Sequence, residues 1–123
     1  MASKLEELFE IEWQLKYPKI QLIPQYKVLP NRKFKIDFAH LPSKTGIEVQ
    51  GGRWIKGGHT SGNGMFTDCE KSLLCAEIGW LIIPIVDKMI SEEYIEKIYS
   101  VIRERDTLLG FYYGISGTNS IAI

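Results

Sequence analysis

Two neighbouring stretches alternate apolar and polar positions with a period of two. In Lys33–Ala39, Phe34, Ile36 and Phe38 fall on one face and Lys35 and Asp37 on the other; in Gly46–Gly52, Ile47 and Val49 oppose Glu48 and Gln50. That period belongs to strands with one buried face, and residues 40–45, which include Pro42 and Ser43, suit a hairpin connection. Helical spacing appears at the start of the chain, where Leu5, Leu8, Phe9 and Trp13 form a stripe that ends before Pro18. Ser3 and Glu6 form a capping box ahead of it. Gln25–Leu29 reads as the first strand, closed by the turn signal Pro30-Asn31.

Thr67 and Glu70 repeat the capping-box pattern and predict a helix running from there to a left-handed cap at Gly79. Its apolar stripe is Cys69, Leu73 and Ala76, widened by Leu74 and Ile78. Trp80–Val86 is an apolar run, a buried strand whose Pro84 places it at a sheet edge or at its own end. Ser91 caps a last helix with Ile95, Ile98, Tyr99 and Ile102 on its buried side. Strand, helix and strand in succession predict a parallel pair. The expected fold is therefore α/β, with a central mixed β-sheet of about four strands flanked by helices. After Asp106 the segment 107–123 has no charged residue and is broken by Gly110, Gly114 and Gly117. So apolar a tail needs cover, either its own sheet or a second copy of the chain in a homodimer.

A chain of 123 residues is one domain. Fifteen basic and fifteen acidic residues cancel, so total charge does not point to nucleic acid. The local balance does: between residues 27 and 58 seven Lys and Arg face only Asp37 and Glu48, a surplus of five. Those lysines either face phosphate or merely solubilise exposed strands. Cys69 and Cys75 are too few and wrongly spaced for a zinc site or a disulfide framework, and read as cysteines of a reduced, cytoplasmic protein. No leader pattern is read at Met1-Ala2-Ser3 and no apolar run approaches the ~20 residues of a membrane span.

The chemistry concentrates on the two alternating strands. Pairing them brings Asp37, Glu48 and Gln50 together on the face turned away from the core, and two carboxylates so placed call for a hard divalent cation. The following segment, Gly51–Gly64, holds six of the eleven glycines together with Arg53, Trp54, Lys56, His59 and Thr60. Such a loop suits close approach to a nucleic-acid backbone. Trp54 either stacks on a base or folds back on the core.

Asp37 followed by Glu48-Val49-Gln50 resembles the motif of the PD-(D/E)XK nuclease superfamily, with Gln50 where lysine is usual. The likeness continues through Gly51-Gly52-Arg53-Trp54, Gly58-His59-Thr60 and Asp68-Cys69-Glu70-Lys71 to Gly79-Trp80, covering roughly residues 3 to 86, and is similar to small stand-alone proteins of phages and mobile elements. It implies a restriction-endonuclease-like core and metal-dependent cleavage of DNA. It also implies Mg²⁺ or Mn²⁺ on Asp37, Glu48 and the Val49 carbonyl, with a first-helix glutamate, Glu6 or Glu10, nearby. A cap at Glu6 and a solvated face at Glu10 are the plainer roles. Gln50 carries no charge, so the missing cation is sought at Lys71, or at Lys35 on the strand of Asp37; each also suits a plain phosphate contact. Lys35, Arg53, Trp54 and Lys56 are expected nucleic-acid contacts, and His59 a general acid or phosphate donor. Paired cuts on two strands would suit a homodimer. The alternative is a catalytically inactive nucleic-acid-binding module of the same fold, and a third reading is a structural phage protein with ordinary surface carboxylates.

Overall fold

The computed structural model describes residues 3–51, 62–114, 116–117 and 120–121. Helix α1, Lys4–Lys16, starts as its sequence predicts, with the Ser3 hydroxyl accepting the Glu6 N–H at 3.1 Å. Strands β1 (Ile23–Tyr26), β2 (Ile36–His40) and β3 (Thr45–Val49) form an antiparallel meander, and β4 (Leu81–Ile85) lies parallel to β3 after the crossover helix α2, Gly62–Glu77. The result is an α/β fold with a four-stranded mixed sheet in the order β1-β2-β3-β4. Helix α3, Glu92–Gly114, follows a short 3₁₀ turn at Asp87–Met89, and two-residue strands β5 (Ser116–Gly117) and β6 (Ser120–Ile121) pair at the end. No described helix is long and apolar enough to cross a membrane.

The core lies on both sides of the sheet. Phe9 and Trp13 of α1 and Ile95, Ile98 and Ile102 of α3 pack with Phe38, Ile47, Val49 and Ile85. A smaller cluster joins Ile36, Ala39 and Trp80 to Cys75 of α2. Ile36 and Phe38 thus enter opposite clusters, contrary to the alternation expected of them, so the strand's facing slips at Asp37 between them. The α2 side of the sheet is covered rather than open, and this changes the setting of the site.

Several boundaries differ from the sequence reading. The first strand lies at Ile23–Tyr26, two residues before Gln25–Leu29, because its partner is set by pairing of Tyr26 with Ile36 and Ile23 with Ala39. Helix α2 begins at Gly62, so Thr67 is interior and its capping box is not used; Glu70 instead takes Arg32 at 2.8 Å. Its expected apolar stripe is also displaced. Leu73, Cys69 and Ile78 are exposed, while Cys75 is fully buried. Helix α3 runs eight residues past Asp106, through Gly110, where only a broken tail was expected. The cap at Gly79 (φ +85°), the parallel β3–β4 pair and the edge position of the strand bearing Pro84 match expectation. Trp80–Val86 is only partly buried: Leu81 is 39% exposed and Ile85 1%.

At the hairpin end of the sheet, Arg105 of α3 ties the turn in place. Its guanidinium donates to the carbonyls of Ser43, Lys44 and Gly79 and to Thr45 Oγ1, at 2.8–3.3 Å. Ser43 and Thr45 are fully buried beneath it, and His40 Nδ1 lies 2.7 Å from Ser43 Oγ. Each buried polar group here has a partner, as burial demands.

Candidate functional site

The β2–β3 register pairs His40 with Thr45, Ala39 with Gly46 and Phe38 with Ile47. One step further, Asp37 stands opposite Glu48, and side chains replace the backbone ladder. The Val49 N–H donates to Asp37 Oδ2 at 2.8 Å, and the Asp37 N–H donates to Glu48 Oε2 at 3.3 Å. The strand ends are therefore locked by the two acids themselves. Two residues before Glu48, Gly46 lets the side chains of Ile36 and Ile82 close over the strand: a Cβ there would stand 2.7 Å from Ile36 Cγ2 and 2.9 Å from Ile82 Cδ1.

Helix α2 brings in Lys71. Its ammonium donates to Glu48 Oε2 at 2.8 Å and to the carbonyl of Lys35 at 2.9 Å, with both side chains of the ion pair only 16% exposed. It also sits 5.3 Å from the centroid of Phe34, over which Arg32 is placed at 5.7 Å. Burial pushes the Glu48 carboxyl above its usual range, and the Asp37 charge adds to this. Lys71 and the Asp37 N–H act the other way without overcoming it. Glu6, held by Gln25 Nε2 at 3.2 Å, is likewise raised, by burial first and then by the charges of Asp37 and Glu48. Three carboxylates thus sense one another across α1, β2 and β3.

Of the residues singled out from sequence, Asp37, Glu48, Lys71 and Glu6 are brought into one neighbourhood, and Gln50 lines the same cleft as Glu48 and Lys71. Glu48 is not on an open sheet face, as expected, but sheltered beneath α2. Val49 buries its side chain and gives its N–H to Asp37. Lys35 contributes its carbonyl, while its side chain is exposed; Glu10 is exposed on α1. Arg53, Trp54, Lys56 and His59 lie outside the described residues. Sequence reasoning missed Phe34, Gln25 and the Arg32–Glu70 pair, whose roles rest on contacts across 19 to 38 residues with no local signature.

The donor set fits a small hard cation held by two carboxylates and otherwise by water or phosphate oxygens. It does not fit an all-protein cage, since among the described residues no three His, Cys, Asp or Glu side chains are placed to share an ion. Between α2 and the carboxyl ends of β3 and β4 opens a cleft of about 640 Å³, with Glu48, Gln50 and Lys71 in its lining. Compared with models of known protein families, with characterised proteins and with solved structures, the chain matches none.

Proposed function

We propose that the chain is a metal-dependent endonuclease that hydrolyses DNA phosphodiester bonds, on a restriction-endonuclease-like core of the PD-(D/E)XK type. The observation that carries the reading is the meeting of Asp37 and Glu48 on adjacent strands with Lys71 2.8 Å from Glu48. Asp37 and Glu48 are assigned to hold Mg²⁺ or Mn²⁺, with Glu6 adding negative charge beside them. When bound, such an ion lowers the pKa of a water and offsets charge on the phosphate.

The chain's own residues supply the rest. The Val49 and Asp37 amides orient the two carboxylates, so little ordering is left to ligand binding. Gln50 donates and accepts hydrogen bonds but brings no charge. Lys71 supplies that charge from the helix: among the described residues, two of its N–H bonds are directed at protein oxygens, and an ammonium has three. We assign the third to a phosphate oxygen. Lys35, exposed beside the site, is assigned to the DNA backbone, Arg53, Trp54 and Lys56 remain proposed nucleic-acid contacts, and His59 is proposed as general acid or phosphate donor. A homodimer acting in the cytoplasm of a phage-infected or mobile-element-bearing cell completes the proposal.

The second reading, an inactive nucleic-acid-binding module, draws support from the Lys71–Glu48 pair itself, which satisfies the acid without any metal. Nicking of supercoiled plasmid separates the two. The nuclease cleaves only with Mg²⁺ or Mn²⁺, and Asp37→Ala and Glu48→Ala remove cleavage while leaving DNA binding. A protein that binds DNA without metal-dependent cleavage is the inactive module, and the nuclease proposal then falls.

A further inference from the structure

The cleft beside Glu48 is larger and more apolar than a metal and a phosphate require. Glu48 and Lys71, each 16% exposed, occupy its inner end. Met65 and Val86, 57% and 38% exposed, stand at its mouth. Ile82 and Pro84 extend the apolar wall along β4, and Gln50, Asp68 and Ser72 add polar edges. We propose that this cleft receives one unstacked nucleobase, so that the substrate is single-stranded, gapped or otherwise unpaired DNA at the nucleotide next to the phosphate being cut. This rests on the nuclease reading for the position of the phosphate.

Three features lead there. The volume of about 640 Å³ is that of a small-molecule pocket. A base held in the paired stack of a double helix has no access to such a space. The walls match a base: thioether, methyl and pyrrolidine groups lie against a π-face, while the Ser72 hydroxyl meets a polar edge. At the inner end Lys71, paired with Glu48, carries the third N–H assigned above to the phosphate, which sets the attached base beside it. Extruding a base from a duplex costs unpairing and unstacking, and this cost is least for a base already unpaired. Such a cleft therefore selects by the state of the strand rather than by its sequence.

The test is binding with EDTA present, which separates it from cleavage. Oligonucleotides of one sequence carrying a single 2-aminopurine are compared as single strand, as gapped duplex and as intact duplex, by anisotropy and by 2-aminopurine emission. The expected result is at least tenfold tighter binding of the single strand and gap than of the duplex, with a change of emission confined to the probe at the gap. Val86→Trp and Met65→Trp, both at exposed positions, fill the mouth and should reduce that ratio to within twofold; their melting curves report on folding. Equal affinity for all three DNAs, or a ratio that survives both substitutions, overturns the inference. If the protein prefers unpaired DNA but never cleaves, the cleft assignment stands and the nuclease reading falls. If it cleaves duplex and single strand alike, the reverse holds. Binding of none of the DNAs overturns both.

Discussion

Asp37 and Glu48 are bound to each other's strands: the Asp37 carboxylate accepts the N–H of Val49, and the Glu48 carboxylate accepts the N–H of Asp37. The acids proposed to hold a metal are thereby also the last rungs of the β2–β3 ladder. Changes at either position should register in stability as well as in chemistry. Asp37→Asn, which keeps the shape but loses the charge, should abolish Mn²⁺ binding in calorimetry while lowering stability by no more than about 1 kcal/mol.

The Glu48–Lys71 pair should show strong coupling. Lys71→Met leaves a largely buried carboxylate without its cation and is expected to cost about 2 kcal/mol in urea unfolding. Glu48→Gln combined with Lys71→Met removes both charges and should return to within about 1 kcal/mol of the wild type. Additive losses in this cycle would mean that the two groups do not depend on each other.

Two groups give stability opposite slopes with pH. The Glu48 carboxyl titrates above its unfolded value of 4.5, so its protonation favours the fold. Its contribution is full below that value and is lost as pH rises through the folded pKa. Glu48→Gln should flatten that decline. Burial lowers the His40 pKa below 6.5, though the Asp106 charge opposes the shift. Its contribution is full above 6.5 and is lost as pH falls toward the folded value. Unfolding midpoints of His40→Asn should therefore change less than wild type between about pH 7 and pH 5.

Arg105 is expected to matter for folding alone. Arg105→Met removes four hydrogen bonds, to the carbonyls of Ser43, Lys44 and Gly79 and to Thr45 Oγ1, although Ser43 keeps the Thr45 hydroxyl, Lys44 the Leu81 N–H and Thr45 the Ser43 hydroxyl as donors. A loss of about 3 kcal/mol, or roughly 10 °C in melting temperature, should follow. Cleavage per folded molecule, measured well below the melting point, should hold at the wild-type rate.

Gly46→Ala tests the close approach next to the site. Its Cβ would meet Ile36 Cγ2 and Ile82 Cδ1 inside contact distance, and Ile36 Cγ2 sits on a β-branch that has little freedom to yield. An overpacking cost of about 2 kcal/mol is expected in denaturant unfolding.

The parts of this fold legible in the sequence were those with local physical causes. Ser3 and Glu6 announced α1, the alternation about Ile47 and Val49 announced β3, and Gly79 announced its left-handed cap. The start of α2 was hidden because Gly62 and Gly64 are poor helix formers, and Thr67-Asp68-Cys69-Glu70 offered a better-looking beginning inside the helix. The length of α3 was hidden by Gly110, which a long helix packed along one side tolerates. In the candidate site, Glu48 and Gln50 were readable from strand period and Lys71 from its place in the following helix, whereas the period misjudged the facing around Asp37. The shelter over Glu48 was not, because it depends on which face of α2 turns inward, and the exposed Leu73 and buried Cys75 invert the hydropathic guess.

Both outer strands of the sheet contain a proline, Pro24 in β1 and Pro84 in β4. Each removes a main-chain donor along a rim where another chain would otherwise add on, and Gln25, at φ 52°, further bends the β1 rim out of extended form. Two copies cannot readily merge their sheets into one continuous eight-stranded array. A search for a twofold assembly should therefore begin with the helical surfaces of α1, α2 and α3 rather than with the sheet rims.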